Sequence, residues 1–297
     1  METPIGLVGL GLMGTALARR LLSAGFEVRG FDLDAAKRSN LVALGGAAVE
    51  SVAAIASTCP VVALAVFTTE QVEQVIEGEG GLLGASTRIA ICTSTCDPDR
   101  VAALAKRAAQ RGLAVLEVPV SGTSTQVERG EGVGLVAGDP AAADAAAGVL
   151  DALFARRFFL GAAGNGGRAK LAINLILGLN RAAIAEGVAF AERLGLDRRH
   201  FLGVAKGSAA YSQVMDVKGD LWANDRFEPP MSRVDQSLKD FTLMLDMAKQ
   251  FGMQLPLAAL YADLMRDCVA HGEAAMDNAV IVNAIRRRAG LGRDHTR

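Results

Sequence analysis

Short apolar runs separated by longer segments of helical period fill the first half of the chain. The runs lie at residues 5–8, 28–31, 61–66, 89–92, 114–118, 133–137 and 158–160. Runs of this length suit strands buried on both faces, and helical segments between them are the signature of βαβ units feeding a parallel sheet. Helix starts are marked where the pattern changes. Thr68 with Gln71 three residues on matches a capping box, and Asp97-Pro98 offers an N-cap followed by proline at the first helical position. This predicts an α/β, doubly wound parallel sheet.

After Gly161 the strand-like runs stop and only the helical period recurs. The connector Gly161-Ala162-Ala163-Gly164-Asn165-Gly166-Gly167 leads into a helix expected over 168–193, whose most apolar part, 171–190, is interrupted by Asn174, Asn180, Arg181 and Glu186. Hiding a charge at mid-bilayer costs roughly 2.5 to 3.5 kcal/mol, so this segment reads as a helix buried in protein. Val234, Leu238, Phe241, Leu245 and Ala248 form the apolar stripe of a later amphipathic helix, with Ser232 and Asp235 as its expected cap. Gly292-Arg293-Asp294-His295-Thr296-Arg297 reads as a frayed polar tail. Two domains are expected, 1–161 and an all-α 162–297.

Composition narrows the picture. With 297 residues, 51% of them hydrophobic, the chain can fill two cores. Its 31 basic and 32 acidic residues leave a net charge of −1, so no global field draws it to nucleic acid or a membrane surface. Cys59, Cys92, Cys96 and Cys268 form no CxxC pair and make no zinc-ligand set with His200, His271 and His295, so no metal site is expected. A globular pattern begins by Ile5, which leaves no room for a signal peptide; a reducing cytoplasm fits.

Gly9-Leu10-Gly11-Leu12-Met13-Gly14 follows the first predicted strand and opens a helix, and Asp32 ends the second strand 18 residues past Gly14. That context turns a weak G-x-G-x-x-G motif into a dinucleotide-binding fingerprint. Gly9 serves the tight turn, Gly11 lets the pyrophosphate approach, and Gly14 lets the helix pack closely. Leu12 and Met13 offer N–H groups at the positive end of a helix dipole. Asp32 suits the ribose hydroxyls and repels a 2'-phosphate, which favours NAD, although Lys37 and Arg38 nearby leave NADP possible.

Further motifs come in order: Val118-Pro119-Val120-Ser121-Gly122, then Gly164-x-Gly166-x-x-x-Lys170-x-x-x-Asn174, then Lys239-Asp240. With Gly6-Leu7-Val8-Gly9-Leu10-Gly11-Leu12-Met13-Gly14 they make the whole chain resemble the β-hydroxyacid dehydrogenase family. That family includes 3-hydroxyisobutyrate dehydrogenase, tartronate semialdehyde reductase and, more distantly, 6-phosphogluconate dehydrogenase. The resemblance implies a Rossmann-type domain followed by a helical domain, a homodimer or homotetramer, and hydride transfer between NAD(H) and a short β-hydroxy acid or its semialdehyde.

Lys170 and Asn174 are spaced i, i+4 and so share a helix face amid Leu171, Ile173, Leu175 and Ile176. An amine beside an apolar wall and a cationic nicotinamide is expected to titrate lower than usual, toward the range useful for acid/base work. The resemblance makes Lys170 the acid/base for the substrate hydroxyl and Asn174 its catalytic partner, which positions the same hydroxyl or the carboxylate. It also gives Ser121, Gly122 and Thr123 the substrate carboxylate, Val66 and Thr95 (in Thr93-Ser94-Thr95) a place beside the cofactor, and Lys239 a place near the nicotinamide, with Asp240 in support. Thr123 stands where the family has a second glycine; a β-branched residue resists positive φ, so a reshaped loop and a more polar substrate are expected. Leu12 and Val66 replace a common asparagine and proline. Ser208, Tyr211, Gln213 and Trp222 are candidates for substrate selectivity. Two alternatives are a non-catalytic dinucleotide sensor or scaffold, and an imine reductase, whose members generally lack the lysine that this chain has.

Overall fold

The computed structural model describes residues 3–291, which divide into two compact units, one ending at Lys170 and one starting at Leu171. The tail read as polar and frayed lies outside the described residues.

In the first unit the chain runs β1 (Ile5–Val8), α1 (Leu12–Ser23), β2 (Val28–Phe31), α2 (Ala35–Ala43), β3 (Ala47–Ala48), α3 (Val52–Ala56), β4 (Val61–Leu64), α4 (Thr69–Glu77), β5 (Ile89–Cys92), α5 (Pro98–Ala109) and β6 (Ala114–Glu117). It continues through β7 (Val120–Ser121), α6 (Ser124–Glu128), β8 (Val133–Val136), α7 (Pro140–Ala145), α8 (Ala147–Leu153) and β9 (Arg156–Phe159) into α9 (Asn165–Arg193). Six parallel strands make one sheet in the order β3-β2-β1-β4-β5-β6. Alternate side chains of each strand enter different cores. Leu7, Ala63, Ile91 and Leu116 join Leu17, Leu21 and Phe154 on one face, while Val8, Val62, Leu64, Ala90, Cys92 and Val115 join Ile55, Ile76 and Leu104 on the other. Burial on both faces is why these runs are apolar throughout.

The register sets the functional edge. Val8 pairs with Phe31 and Leu64, Leu64 with Cys92, and Cys92 with Glu117, so five strands end at one level. The chain order reverses between β1 and β4, the switch point at which open α/β sheets leave a crevice.

Two expected strands leave this sheet. β8 and β9 pair in parallel with each other, and β7 pairs antiparallel with β8, forming a separate three-stranded sheet. The link from β7 to β8 holds only the five-residue α6, and it returns the chain as an antiparallel partner. The expected caps on α4 and α5 are present: Thr68 and Gln71 close a capping box, and Asp97 accepts from Asp99 N and Arg100 N ahead of Pro98.

The second unit is helical: α9 from Leu171 onward, then α10 (Arg198–Lys206), α11 (Gln213–Asn224), α12 (Val234–Gln250), α13 (Pro256–Ala270), a 3-10 turn (Asn278–Val280) and α14 (Ile281–Arg288). Its core gathers Leu171, Val188, Trp222, Phe241, Tyr261, Met265 and Ile281, and Val234, Leu238, Phe241 and Leu245 of the predicted α12 stripe pack there. Gly178 sits against the stacked rings of Phe241 and Tyr261; a Cβ there would lie 2.4 Å from Phe241 Cζ.

Two expectations fail here. Helix α12 starts after Arg233 without a side-chain cap. Ser232 instead donates its N–H to Asp277 Oδ2 (3.2 Å) and accepts Asn278 N at its carbonyl (2.8 Å). Asp277 is fully buried and also accepts from Lys218 Nζ (2.6 and 2.8 Å), Met231 N and Ala279 N, so the loop before α12 is anchored by a buried carboxylate, not capped by its own hydroxyl. Helix α9 is only partly buried: Ile176 and Phe190 are 61% and 64% exposed. By length and composition it could cross a bilayer, yet two of its polar residues have protein partners, Asn174 binding Asp240 and Arg181 binding Tyr261.

Candidate active site

The glycine loop begins where β1 ends. Gly9 has φ +92°, and a Cβ there would lie 2.5 Å from the Ala65 carbonyl oxygen, so only glycine makes this turn. A Cβ on Gly14 would fall 1.9 Å from the Gly9 carbonyl oxygen, which brings the first turn of α1 onto the loop. Gly11 differs from both. Beyond its own chain neighbours, nothing among the described residues lies within 4 Å of its virtual Cβ, so its missing side chain leaves room rather than relieving an internal contact. Helix α1 has Gly11 as N-cap and no side-chain cap, which leaves its positive end for an anion. Leu12 is 48% exposed beside it, and Met13 is partly buried against the core. Cradle, open approach and uncapped helix end together fit a dinucleotide pyrophosphate.

Asp32 follows β2 on the same edge. Its Oδ2 accepts Leu10 N (2.8 Å) and its Oδ1 accepts Asp34 N (2.9 Å), so the carboxylate also fastens the glycine loop. Lys37 Nζ lies 3.6 Å from Oδ1, and Arg38 donates to the Asp32 carbonyl (2.7 Å) while its guanidinium lies 6.0 Å over the Phe31 ring. Both basic residues that could serve a 2'-phosphate are thus engaged with Asp32 or its neighbours.

Val66 and Thr95 also follow aligned strands. The Val66 carbonyl accepts the Ser94 hydroxyl (2.7 Å), Thr93 Oγ1 donates to the Leu64 carbonyl (2.8 Å), and Thr95 is buried. After β6 comes the Ser121 loop. Ser121 pairs with Val133 in the small sheet, and the positive φ of the loop, +139°, falls on Gly122. Thr123 has φ −75° and caps α6 in a capping box with Gln126. The family's second glycine is therefore dispensable here, and the Thr123 hydroxyl is committed to Gln126 rather than added to the polarity of the loop.

Lys170 lies near the start of α9 and is 7% exposed. One turn on, Asn174 Nδ2 donates to Asp240 Oδ2 (2.8 Å), and Lys239 Nζ stands 3.2 Å from Asp240 Oδ1. The second unit thus brings Asn174, Asp240 and Lys239 into one chain of contacts. The selectivity candidates separate. Trp222 is fully buried and donates Nε1 to the Ala279 carbonyl (2.8 Å), which makes it core and removes it from any substrate surface. Tyr211 is 53% exposed with its hydroxyl on Asp216 (2.6 Å), Ser208 turns back to the Ala205 carbonyl, and Gln213 opens α11.

One residue was missed. Glu117, the last residue of β6, is 2% exposed and accepts Gly164 N at 2.8 Å. The signal was an acid inside an apolar run, which a strand buried on both faces does not tolerate without partners.

Residues 4–161 match the family model described as the NAD binding domain of 6-phosphogluconate dehydrogenase, and residues 164–285 match that described as NAD-binding of NADP-dependent 3-hydroxyisobutyrate dehydrogenase. The chain is 32% identical to L-threonate dehydrogenase of Cupriavidus necator over 95% of this chain and 96% of the relative. It is 28% identical to 2-hydroxy-3-oxopropionate reductase of Escherichia coli over 95% and 96%. The crystal structure of 3-hydroxyisobutyrate dehydrogenase from Salmonella typhimurium aligns with a TM-score of 0.87 at 27% identity, covering 95% of this chain and 99% of that one.

The glycine geometry separates folding from binding. Gly14→Ala is expected to lower stability by about 1–3 kcal/mol through overpacking, read by urea denaturation. Gly11→Ala, with open space at its Cβ, is expected to stay within about 1 kcal/mol of the parent yet bind NADH at least about tenfold more weakly by fluorescence titration. Equal losses of stability in both variants would contradict the assignment.

Proposed function

Because this chain belongs to the β-hydroxyacid dehydrogenase family, it is an NAD(P)-dependent oxidoreductase acting on the CH–OH group of a hydroxy acid, and we propose that Lys170 is its general acid/base. The observation that carries the proposal is a buried amine in the first turns of a helix, with Asn174 on the same face. A nicotinamide dinucleotide held by the glycine loop would supply the hydride acceptor for the carbinol carbon and the hydride donor for the carbonyl. Lys170 takes the hydroxyl proton during oxidation and gives it back during reduction. Asn174, its amide nitrogen on Asp240, orients the same hydroxyl or the carboxylate. Ser121 and Gly122 hold the carboxylate, and Thr123 fixes their loop through its cap on α6.

For the cofactor, Gly9, Gly11, Leu12, Met13 and Gly14 receive the pyrophosphate, Asp32 the adenosine ribose, and Val66, Thr95 and Lys239 the remainder toward the nicotinamide. We assign residues 1–161 to dinucleotide binding and 162–297 to substrate and subunit contact. NAD is preferred. Two like charges about 5 Å apart at an effective dielectric near 20 repel by about 3 kcal/mol, and Lys37 and Arg38 are already drawn to Asp32. The substrate is a short β-hydroxy acid or its semialdehyde, of the 3-hydroxyisobutyrate or tartronate semialdehyde type. The names of the two relatives, an L-threonate dehydrogenase and a 2-hydroxy-3-oxopropionate reductase, both concern short oxygenated carboxylic acids and support the class.

The apolar residues left exposed on α9 and α13, namely Ile176, Phe190, Leu257 and Leu260, support a homodimer or homotetramer. Four buried free thiols suit a reducing cytoplasm, which cell fractionation tests. Light scattering is expected to return a multiple of the single-chain mass; a monomer would overturn the assembly.

Kinetics test both the cofactor and the lysine. In a panel of L-threonate, glycerate, serine, 3-hydroxyisobutyrate and 3-hydroxypropionate, at least one acid is expected to be oxidised with kcat/KM about 10- to 100-fold higher for NAD than NADP; equal use of both would remove the discriminating role of Asp32. Lys170→Ala is expected to lose about 100-fold or more in kcat while NADH affinity stays within about twofold. Near-parental turnover would remove the lysine from the mechanism.

A further inference from the structure

Among the buried acids, Glu117 occupies a place that neither cofactor nor substrate binding explains. It ends β6 on the level of Val8, Phe31, Leu64 and Cys92, and its carboxylate meets the first turn of α9. Oε2 accepts Gly164 N at 2.8 Å, and the backbone N–H groups of Gly166 and Gly167 also favour the ionised carboxylate. The glycines around it now have a reason. A Cβ on Gly166 would lie 3.0 Å from Oε2 and 2.9 Å from the Leu135 carbonyl oxygen, and one on Gly167 would lie 2.7 Å from Oε1. The helix end is built around the acid.

We propose that Glu117 is the positioning residue for Lys170: it ties the carboxyl end of β6 to the opening turn of α9 and so fixes the height and direction from which the amine is presented. The inference rests on the acid/base reading of Lys170. Lys170 follows Gly166 by four residues and Gly167 by three, so it stands over the same turn, and helical side chains lean toward the N-terminus. That is also the end where a helix dipole disfavours a cation. A carboxylate seated among the first N–H groups offsets the dipole and makes the end hospitable to an amine.

The acid is held where ionisation is costly. Burial pushes its pKa up, while the N–H groups of Gly164, Gly167 and Gly166, and then the Arg168 guanidinium, pull it down. Arg168 itself is bound to Asp99 and Asn165, and the Cys92 thiol faces Glu117 from β5. By gathering backbone donors at this level, the buried carboxylate makes the start of α9 part of the sheet edge.

Glu117→Gln keeps the shape, removes the charge and puts an amide donor among donors. It is expected to lower kcat by roughly 10- to 100-fold, the cost of an ångström-scale misplacement, with NADH affinity within about twofold. The acid limb of kcat/KM for oxidation is expected to move down by about half a pH unit, the direction for an amine that has lost a neighbouring negative charge. Hydrogen exchange should rise in the peptide covering 164–170 and stay level in the glycine loop. Glu117→Asp keeps the charge and shortens the reach; it is expected to lower kcat by less, about threefold to tenfold, with the acid limb in place. Parental kcat and exchange in Glu117→Gln, or a joint collapse of kcat, NADH affinity and melting temperature in both variants, would overturn the proposal. The Lys170 reading fails separately, through a Lys170→Ala enzyme that turns over normally.

Discussion

Five parallel strands ending at one level are the constraint on which the first unit depends. Val8, Phe31, Leu64, Cys92 and Glu117 are tied together by the register of the sheet, so the loops that leave these strands emerge along a single edge. Gly9, Asp32, Val66 and Thr95 owe their common edge to that alignment more than to local conformation. A one-residue slip in any strand would send its side chains to the opposite core and pull its loop off the edge. The division of Leu7 from Val8 and Leu116 from Val115 between two cores makes such a slip expensive.

Close packing then shapes the loop that leaves this edge. Gly9 and Gly14 are glycines because the protein itself occupies the space, whereas Gly11 is a glycine because the protein leaves the space open. The same distinction runs through α9. Gly178 admits Phe241, while Gly166 and Gly167 admit the Glu117 carboxylate, so one helix is fitted at two places to two kinds of neighbour.

Much of this was legible in the sequence because it depends on local periodicity. Runs buried on both faces, the caps at Thr68 and Asp97, and the apolar stripe of α12 all state their structure within a few residues. The features that escaped depend on partners far along the chain. The run at 158–160 marked a strand, but not that it begins at Arg156 and pairs with β8 outside the main sheet. Ser232 looks like a cap until Asp277, 45 residues later, claims its N–H. Trp222 reads as a candidate for substrate selectivity until Ala279 receives its indole N–H. Glu117 reads as part of a strand until Gly164, 47 residues on, supplies its first donor. For the site, the loop of Gly9 to Gly14 and Asp32 were visible as a pattern, whereas the commitment of Thr123 to a helix cap required coordinates.

Acid/base chemistry at Lys170 turns on a proton held by an amine, and chemical rescue reads that most directly. Oxidation of the preferred hydroxy acid by NAD would be followed in Lys170→Ala as methylamine is added across a range of pH. A low residual rate that rises in proportion to the free-base amine, with NADH affinity unchanged, is the expected result. A variant that runs at the parental rate without amine, and does not respond to it, would remove the lysine from the proton transfer.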